Sequence, residues 1–215
     1  MEIMDSSYQI SGGIYLVLNP AMESKLLLAK LKSALSVGLQ VVQIWNNWQP
    51  GTDKLALVKA IGELCNSHRV PVLINEEWQL VMQSPFLQGV HFDDVPADYA
   101  AIQQAINKPF LAGITCSSNL NKVLWADEHQ LNYVSFCSMF PSPSAGSCDI
   151  VMPSIVKKAR TLTTLPIFVS GGITPENLLA LKKETPFNGV AVISGILSAD
   201  DPAQQVKHYQ NALSM

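Results

Sequence analysis

Short apolar runs alternate with longer stretches in which apolar residues recur at three- and four-residue steps. The runs are Ile14 to Leu18, Val41 to Trp45, Val72 to Ile74, Gly89 to His91, Phe110 to Ile114, Tyr133 to Phe136, Ile167 to Val169 and Gly189 to Ile193, eight in all. Runs of this length read as buried strands. Between them, sets such as Leu27, Leu31, Ala34 and Leu35, or Leu55, Val58, Ile61, Leu64 and Cys65, draw one apolar stripe on a helix. Pro71 and Pro166 stand directly before the third and seventh runs, where a missing N–H costs least. No low-complexity segment or composition break interrupts the alternation. The pattern predicts one α/β domain over residues 1–215, with residues 1–10 as an N-terminal extension. Eight βα units point to a single closed (β/α)8 TIM barrel, and a doubly wound open sheet is the alternative with the same alternation.

Composition narrows the partners. The chain has 215 residues, 48% of them hydrophobic and 14% charged, enough apolar material for a large core. A formal net charge of −3, without a Lys/Arg cluster, argues against nucleic acid. No apolar run reaches the roughly 18 residues of a membrane span, and Glu2 and Asp5 near the start do not suit a secretory signal. A cytoplasmic protein without a membrane partner is expected. Cys65, Cys116, Cys137 and Cys148 lack CxxC spacing and read as reduced thiols, with small-residue packing expected at Cys116 and Cys137. Homo-oligomerisation is left open.

Barrel chemistry sits where strands end. Ser170-Gly171-Gly172-Ile173-Thr174 and Ile193-Ser194-Gly195 follow the seventh and eighth runs. Glycines there let the backbone approach an anion, and helix-start N–H groups face it. Asn75, Glu76, Asp93 and Asp94 follow the third and fourth runs, an oxygen-rich set that suits magnesium or serves equally to cap helices. The fifth run leads into Thr115-Cys116-Ser117-Ser118. The sixth leads into a Pro/Ser-rich loop with Ser142 and Ser144, which either contacts an anion or orders a turn. His91 reads as a hydrogen-bonded structural residue rather than a catalyst. Trp45 ends the second run and Trp48 follows it, with packing the ordinary role for tryptophan.

Ile14-Tyr15-Leu16-Val17, Val42-Gln43-Ile44, Ile74-Asn75, Gly89-Val90-His91, Tyr133, Phe140-Pro141, Gly171-Gly172-Ile173-Thr174 and Gly189 to Ser194 occur in an order that resembles the thiamine phosphate synthase and thiazole tautomerase family over essentially the full length. The resemblance implies a barrel that joins a pyrimidine methyl diphosphate to a thiazole phosphate with Mg2+, yielding thiamine phosphate and diphosphate. Diphosphate departs first, and the thiazole nitrogen captures the pyrimidine cation. It also implies substrate contacts at Gln43, Asn47, Asn75, Thr115, Ser142, Ser144, Gly171, Gly172, Ile193 and Ser194, and metal ligands at Glu76 and Asp94.

Cationic positions of the family are replaced here. Trp45 and Asn47 stand where the family has arginine and lysine, Glu76 replaces an aspartate, and Ala145 replaces a lysine after Ser142-Pro143-Ser144. Lys122, Lys157, Lys158 and Arg160 are the remaining candidates for the missing charge. Ser117 aligns with the tautomerase histidine. Two functional alternatives therefore stand beside synthase activity: a non-catalytic or regulatory thiazole-phosphate binder, and a tautomerase-like protein. An isomerase of another phosphorylated metabolite is a third, on fold analogy alone.

Overall fold

The computed structural model describes residues 8–142 and 149–215. Eight parallel strands close into a barrel in chain order. They are β1 Gly13–Leu18, β2 Val41–Ile44, β3 Val72–Asn75, β4 Gly89–Phe92, β5 Leu111–Thr115, β6 Tyr133–Phe136, β7 Ile167–Ser170 and β8 Gly189–Val192. The open-sheet alternative is excluded by the pairing of β1 with β8, Gly13 opposite Gly189. No strand edge differs from the sequence expectation by more than one residue.

The helices among the described residues are α1 Ser24–Leu35, α2 Lys54–Asn66, α3 Gln79–Gln83, α4 Tyr99–Ile106, α5 Leu120–Glu128, α6 Pro153–Arg160, α7 Pro175–Glu184, α8 Ser194–Leu197 and α9 Pro202–Ser214. Local chemistry starts them. Asp53, Asp98 and Asp201 accept from the backbone N–H of Ala56, Ala101 and Gln204, while Thr174 and Asn177 close a reciprocal capping box. None of these helices is long and apolar enough to cross a membrane.

Two apolar layers result. Outward strand residues such as Leu16, Leu18, Val42 and Ile44 bury against Leu27, Leu31, Val58 and Ile61 of the helices. Each such side chain stabilises the fold by about 1.5–3 kcal/mol on leaving water. Inside the barrel, Tyr15, Val17, Val41, Leu73, Leu111, Tyr133 and Phe168 pack together, and Ile10 joins them. The interior is filled by pairing large residues with glycines. Tyr133 lies across Gly113 and Phe168 across Gly189, where a Cβ would collide with each ring. This leaves polar groups toward the strand C-termini.

Candidate active site

The loop after β7 carries the strongest backbone constraint. Gly171 and Gly172 have φ of +83° and +62°, a region that L side chains rarely adopt. A Cβ on Gly172 would sit 2.6 Å from the Pro141 carbonyl oxygen, and one on Gly171 would strike Ser138 Oγ. The loop after β6 is laid directly on this turn. Met139 N donates to Ser170 O at 2.8 Å, and Phe140 N donates to Gly171 O at 3.0 Å.

After the neighbouring strand β8, α8 begins at Ser194, and Ile196 and Leu197 both donate to Ile193 O. The N–H groups of Ser194 and Gly195 precede that ladder and so lack an intrahelical acceptor by position. Tyr209 of α9 ties the two segments together. Its hydroxyl donates to Ile173 O at 2.7 Å and occupies the space that a Cβ on Gly195 would need. Gly171, Gly172, Ile193 and Ser194 are thus brought to one side of the mouth, where helix-start N–H groups suit a phosphate.

The acidic side is built differently from a row of helix caps. The N-cap of α3 is Trp78, without a side-chain cap bond, and that of α4 is Asp98. Asn75 Nδ2 instead donates to Asp93 Oδ1 at 3.0 Å, and the Asp93 N–H donates to Glu76 Oε1. Burial raises the Glu76 pKa above the ordinary carboxyl value; backbone N–H bonds from Asp93 and Asp94 oppose the rise, and their charges add to it. Asp94 is different, with a side chain 77% exposed and Oδ1 2.9 Å from Lys122 Nζ. That contact, with the Val95 N–H, lowers the Asp94 pKa.

No group of three or more His, Cys, Asp and Glu side chains converges as a metal site among the described residues. The donors nevertheless fit magnesium, which commonly takes one or two carboxylates and completes its shell from water and substrate phosphate. Glu76 supplies a half-buried carboxylate whose ionisation is disfavoured by its surroundings, and a divalent cation would offset that disfavour.

Lys122 is the cation that sequence left unplaced. Two residues into α5, it reaches back to the mouth, with its side chain only 14% exposed and Nζ 3.3 Å from Asp93 O. Arg160 lies at the opposite barrel end, donating to Thr163 O and to Asn188 Oδ1 beside the start of β8. Lys157 and Lys158 share the last turn of α6 with it. An open cleft beside Lys122 is lined by Asp94, Cys116, Ser117, Ser118 and Asn119. Burial pushes the Cys116 thiol up to about 12, which makes it a packing residue rather than a nucleophile. Ser117 donates to Cys137 O at 3.0 Å.

On the β2 side, Gln43 is buried, whereas Asn47 is exposed and donates to Asn19 Oδ1 at 3.0 Å. Trp45 packs against the inner cluster and Trp48 against the outer one, with Lys54 Nζ 5.2 Å from the Trp48 ring centre. Thr115 Oγ1 is 2.8 Å from His91 Nε2, and His91 Nδ1 is 2.7 Å from the Tyr133 hydroxyl. Ser142 is half-buried after β6, and Ser144 lies outside the described residues.

The family model described as thiamine monophosphate synthase matches residues 14–196. A thiamine-phosphate synthase of Azoarcus sp. (strain BH72) is 29% identical over 197 residues, 92% of this chain and 95% of that protein. One from Xanthomonas campestris pv. campestris (strain 8004) is 27% identical over 202 residues, covering 94% and 96%. Among solved structures, a thiamine phosphate pyrophosphorylase from Pyrococcus furiosus superposes with a TM-score of 0.79 at 16% identity, covering 94% of this chain and 95% of that one. The match spans all eight strands and both glycine segments, and the chain belongs to the thiamine monophosphate synthase family.

Proposed function

We propose that the chain is a thiamine phosphate synthase, a transferase that joins a hydroxymethylpyrimidine diphosphate to a thiazole phosphate. The observation that carries this reading is the pairing, at one barrel mouth, of a glycine-built anion site with an acidic wall that retains a cation at Lys122. In this reading Gly171, Gly172, Ile193 and Ser194 hold the thiazole phosphate. Gln43, Asn75 and Thr115 face the pyrimidine, while Ser142, Ser144 and Lys122 face the diphosphate, with Asn47 at the rim. Glu76 and Asp94 would hold a magnesium ion, whose charge offsets that of the leaving diphosphate.

The C–O bond to diphosphate breaks first, and the pyrimidine methylene carbon is left electron-poor. The thiazole nitrogen then donates its pair to that carbon, forming the new C–N bond. No side-chain nucleophile is required, so the residues act by orientation and electrostatics. A cytoplasmic enzyme fits this small-molecule chemistry.

A second reading is favoured by Trp45 and Asn47 at family cation positions: a non-catalytic protein that binds thiazole phosphate. Supplying the purified chain with both substrates and magnesium separates the two. Formation of thiamine phosphate supports the synthase; thiazole phosphate binding in calorimetry without turnover supports the binder.

A further inference from the structure

Five side chains from five strands form one line of hydrogen bonds inside the barrel. Tyr15 OH donates to Gln43 Oε1 at 2.7 Å, Tyr15 and Tyr133 hydroxyls are 2.7 Å apart, Tyr133 OH is 2.7 Å from His91 Nδ1, and His91 Nε2 is 2.8 Å from Thr115 Oγ1. Tyr15, Gln43, His91 and Tyr133 are each at most 6% exposed. The line crosses β5 because Gly113 has no side chain there, which lets Tyr133 stack on His91 with ring centres 5.7 Å apart.

A hydroxyl has one proton to donate, so the direction of the first bond fixes the rest. Tyr15 gives its proton to Gln43, and its oxygen must accept from Tyr133. The Tyr133 oxygen must then accept from His91, which places the imidazole proton on Nδ1. A neutral ring leaves Nε2 bare, and it accepts from Thr115. The ring is buried and its two nitrogens meet only hydroxyls, with no carboxylate bonded to either to hold a second proton, so it stays neutral. The other tautomer would set the Nδ1 lone pair against the Tyr133 oxygen with no proton between them. Reversal requires the amide, both phenols, the imidazole and the threonine hydroxyl to turn together.

We propose that Tyr15, Tyr133 and His91 are positioning residues, a chain of single polarity that holds the Gln43 amide oxygen inward and commits the Thr115 proton to the imidazole. Gln43 then meets a bound ring only through its NH2 donors, and Thr115 only through its lone pairs. The specificity consequence is a heteroaromatic ring with an acceptor toward β2 and a donor toward β5. This consequence rests on the synthase reading; the polarity itself does not.

Two-bond 1H–15N correlation spectra of the histidine-labelled, ligand-free chain test the polarity, with His91 assigned by His91→Gln. The expected result is an Nδ1-protonated, Nε2-bare ring that persists in Thr115→Val, because the direction is set from the Gln43 end. In Tyr15→Phe the Tyr133 proton is released and His91 changes to a mixed tautomer. An Nε2-protonated ring in the unaltered chain overturns the proposal whether or not the variants fold. So does a tautomer that flips in Thr115→Val or stays unmoved in a folded Tyr15→Phe. With synthase activity present, Tyr15→Phe should raise KM for the pyrimidine diphosphate roughly tenfold, the worth of one hydrogen bond, and leave KM for thiazole phosphate unchanged. An inactive chain removes only this last comparison, so failure of the activity and failure of the polarity are read separately.

Discussion

Gly113 and Tyr133 face each other on β5 and β6, and a Cβ on the glycine would sit 2.1 Å from the tyrosine Cζ. The ring has nowhere to retreat, because it also packs edge-on against Tyr15 and Phe168 at centroid distances of 5.6 and 5.5 Å. Gly113→Ala should therefore destabilise the barrel by about 3 kcal/mol or more, in the upper range for overpacking. Urea unfolding of the variant checks this. A loss below about 0.5 kcal/mol, the range of an ordinary surface change, would mean that the interior is looser than described.

Gly172→Ala adds a methyl group at φ +62° and 2.6 Å from Pro141 O. The turn must shift, and the N–H groups proposed to hold the phosphate shift with it. KM for thiazole phosphate should rise at least roughly tenfold, with KM for the pyrimidine diphosphate changed far less. Equal changes in both constants would place the thiazole phosphate elsewhere.

Lys122→Met removes the ammonium from the acidic wall while keeping an apolar stem. Asp94 is left in water rather than buried, so stability should change by only about 0.5 kcal/mol. If Lys122 meets the diphosphate, KM for that substrate should rise about tenfold to a hundredfold, the loss of one charge-assisted bond. An unchanged KM would return Lys122 to a structural ion pair.

Burial holds the His91 pKa at about 4, against an ordinary value of 6.5. Between those values the unfolded chain binds more protons than the folded one, so this residue's contribution to stability rises with pH. It is fully present above about 6.5 and is lost as pH falls toward 4. Glu76, with a raised pKa, works in the opposite sense, so the difference between the unaltered chain and His91→Gln isolates the histidine. Parallel stability curves for the two between pH 4 and 7 would contradict the burial of a neutral ring.

Much of the fold was legible because each strand and helix writes its own period locally, and Pro71 and Pro166 mark strand entries without reference to anything distant. Gly171 and Gly172 were legible for the same reason, since a positive φ is a local demand. Lys122 was not. Its place in the mouth depends on how α5 packs and on a side chain that reaches back past Thr115, whereas Lys157, Lys158 and Arg160 offered the same charge from α6. The Tyr15 to Thr115 chain was also missed. The available signal was polar residues at inward positions of otherwise apolar strands, Tyr15, Gln43, His91, Thr115 and Tyr133, but which of them touch is set by barrel closure and by the gap at Gly113. Ser144 and Ala145 lie outside the described residues.

In the proposed reaction this mouth joins two phosphorylated rings although Trp45, Asn47 and Ala145 stand at family cation positions. The most direct measurement follows thiamine phosphate and diphosphate together, with the purified chain, magnesium and both substrates at saturation. The two products should appear in equal amounts and only when both substrates are present. No thiamine phosphate under those conditions, from a folded chain that binds thiazole phosphate, would contradict the proposed reaction.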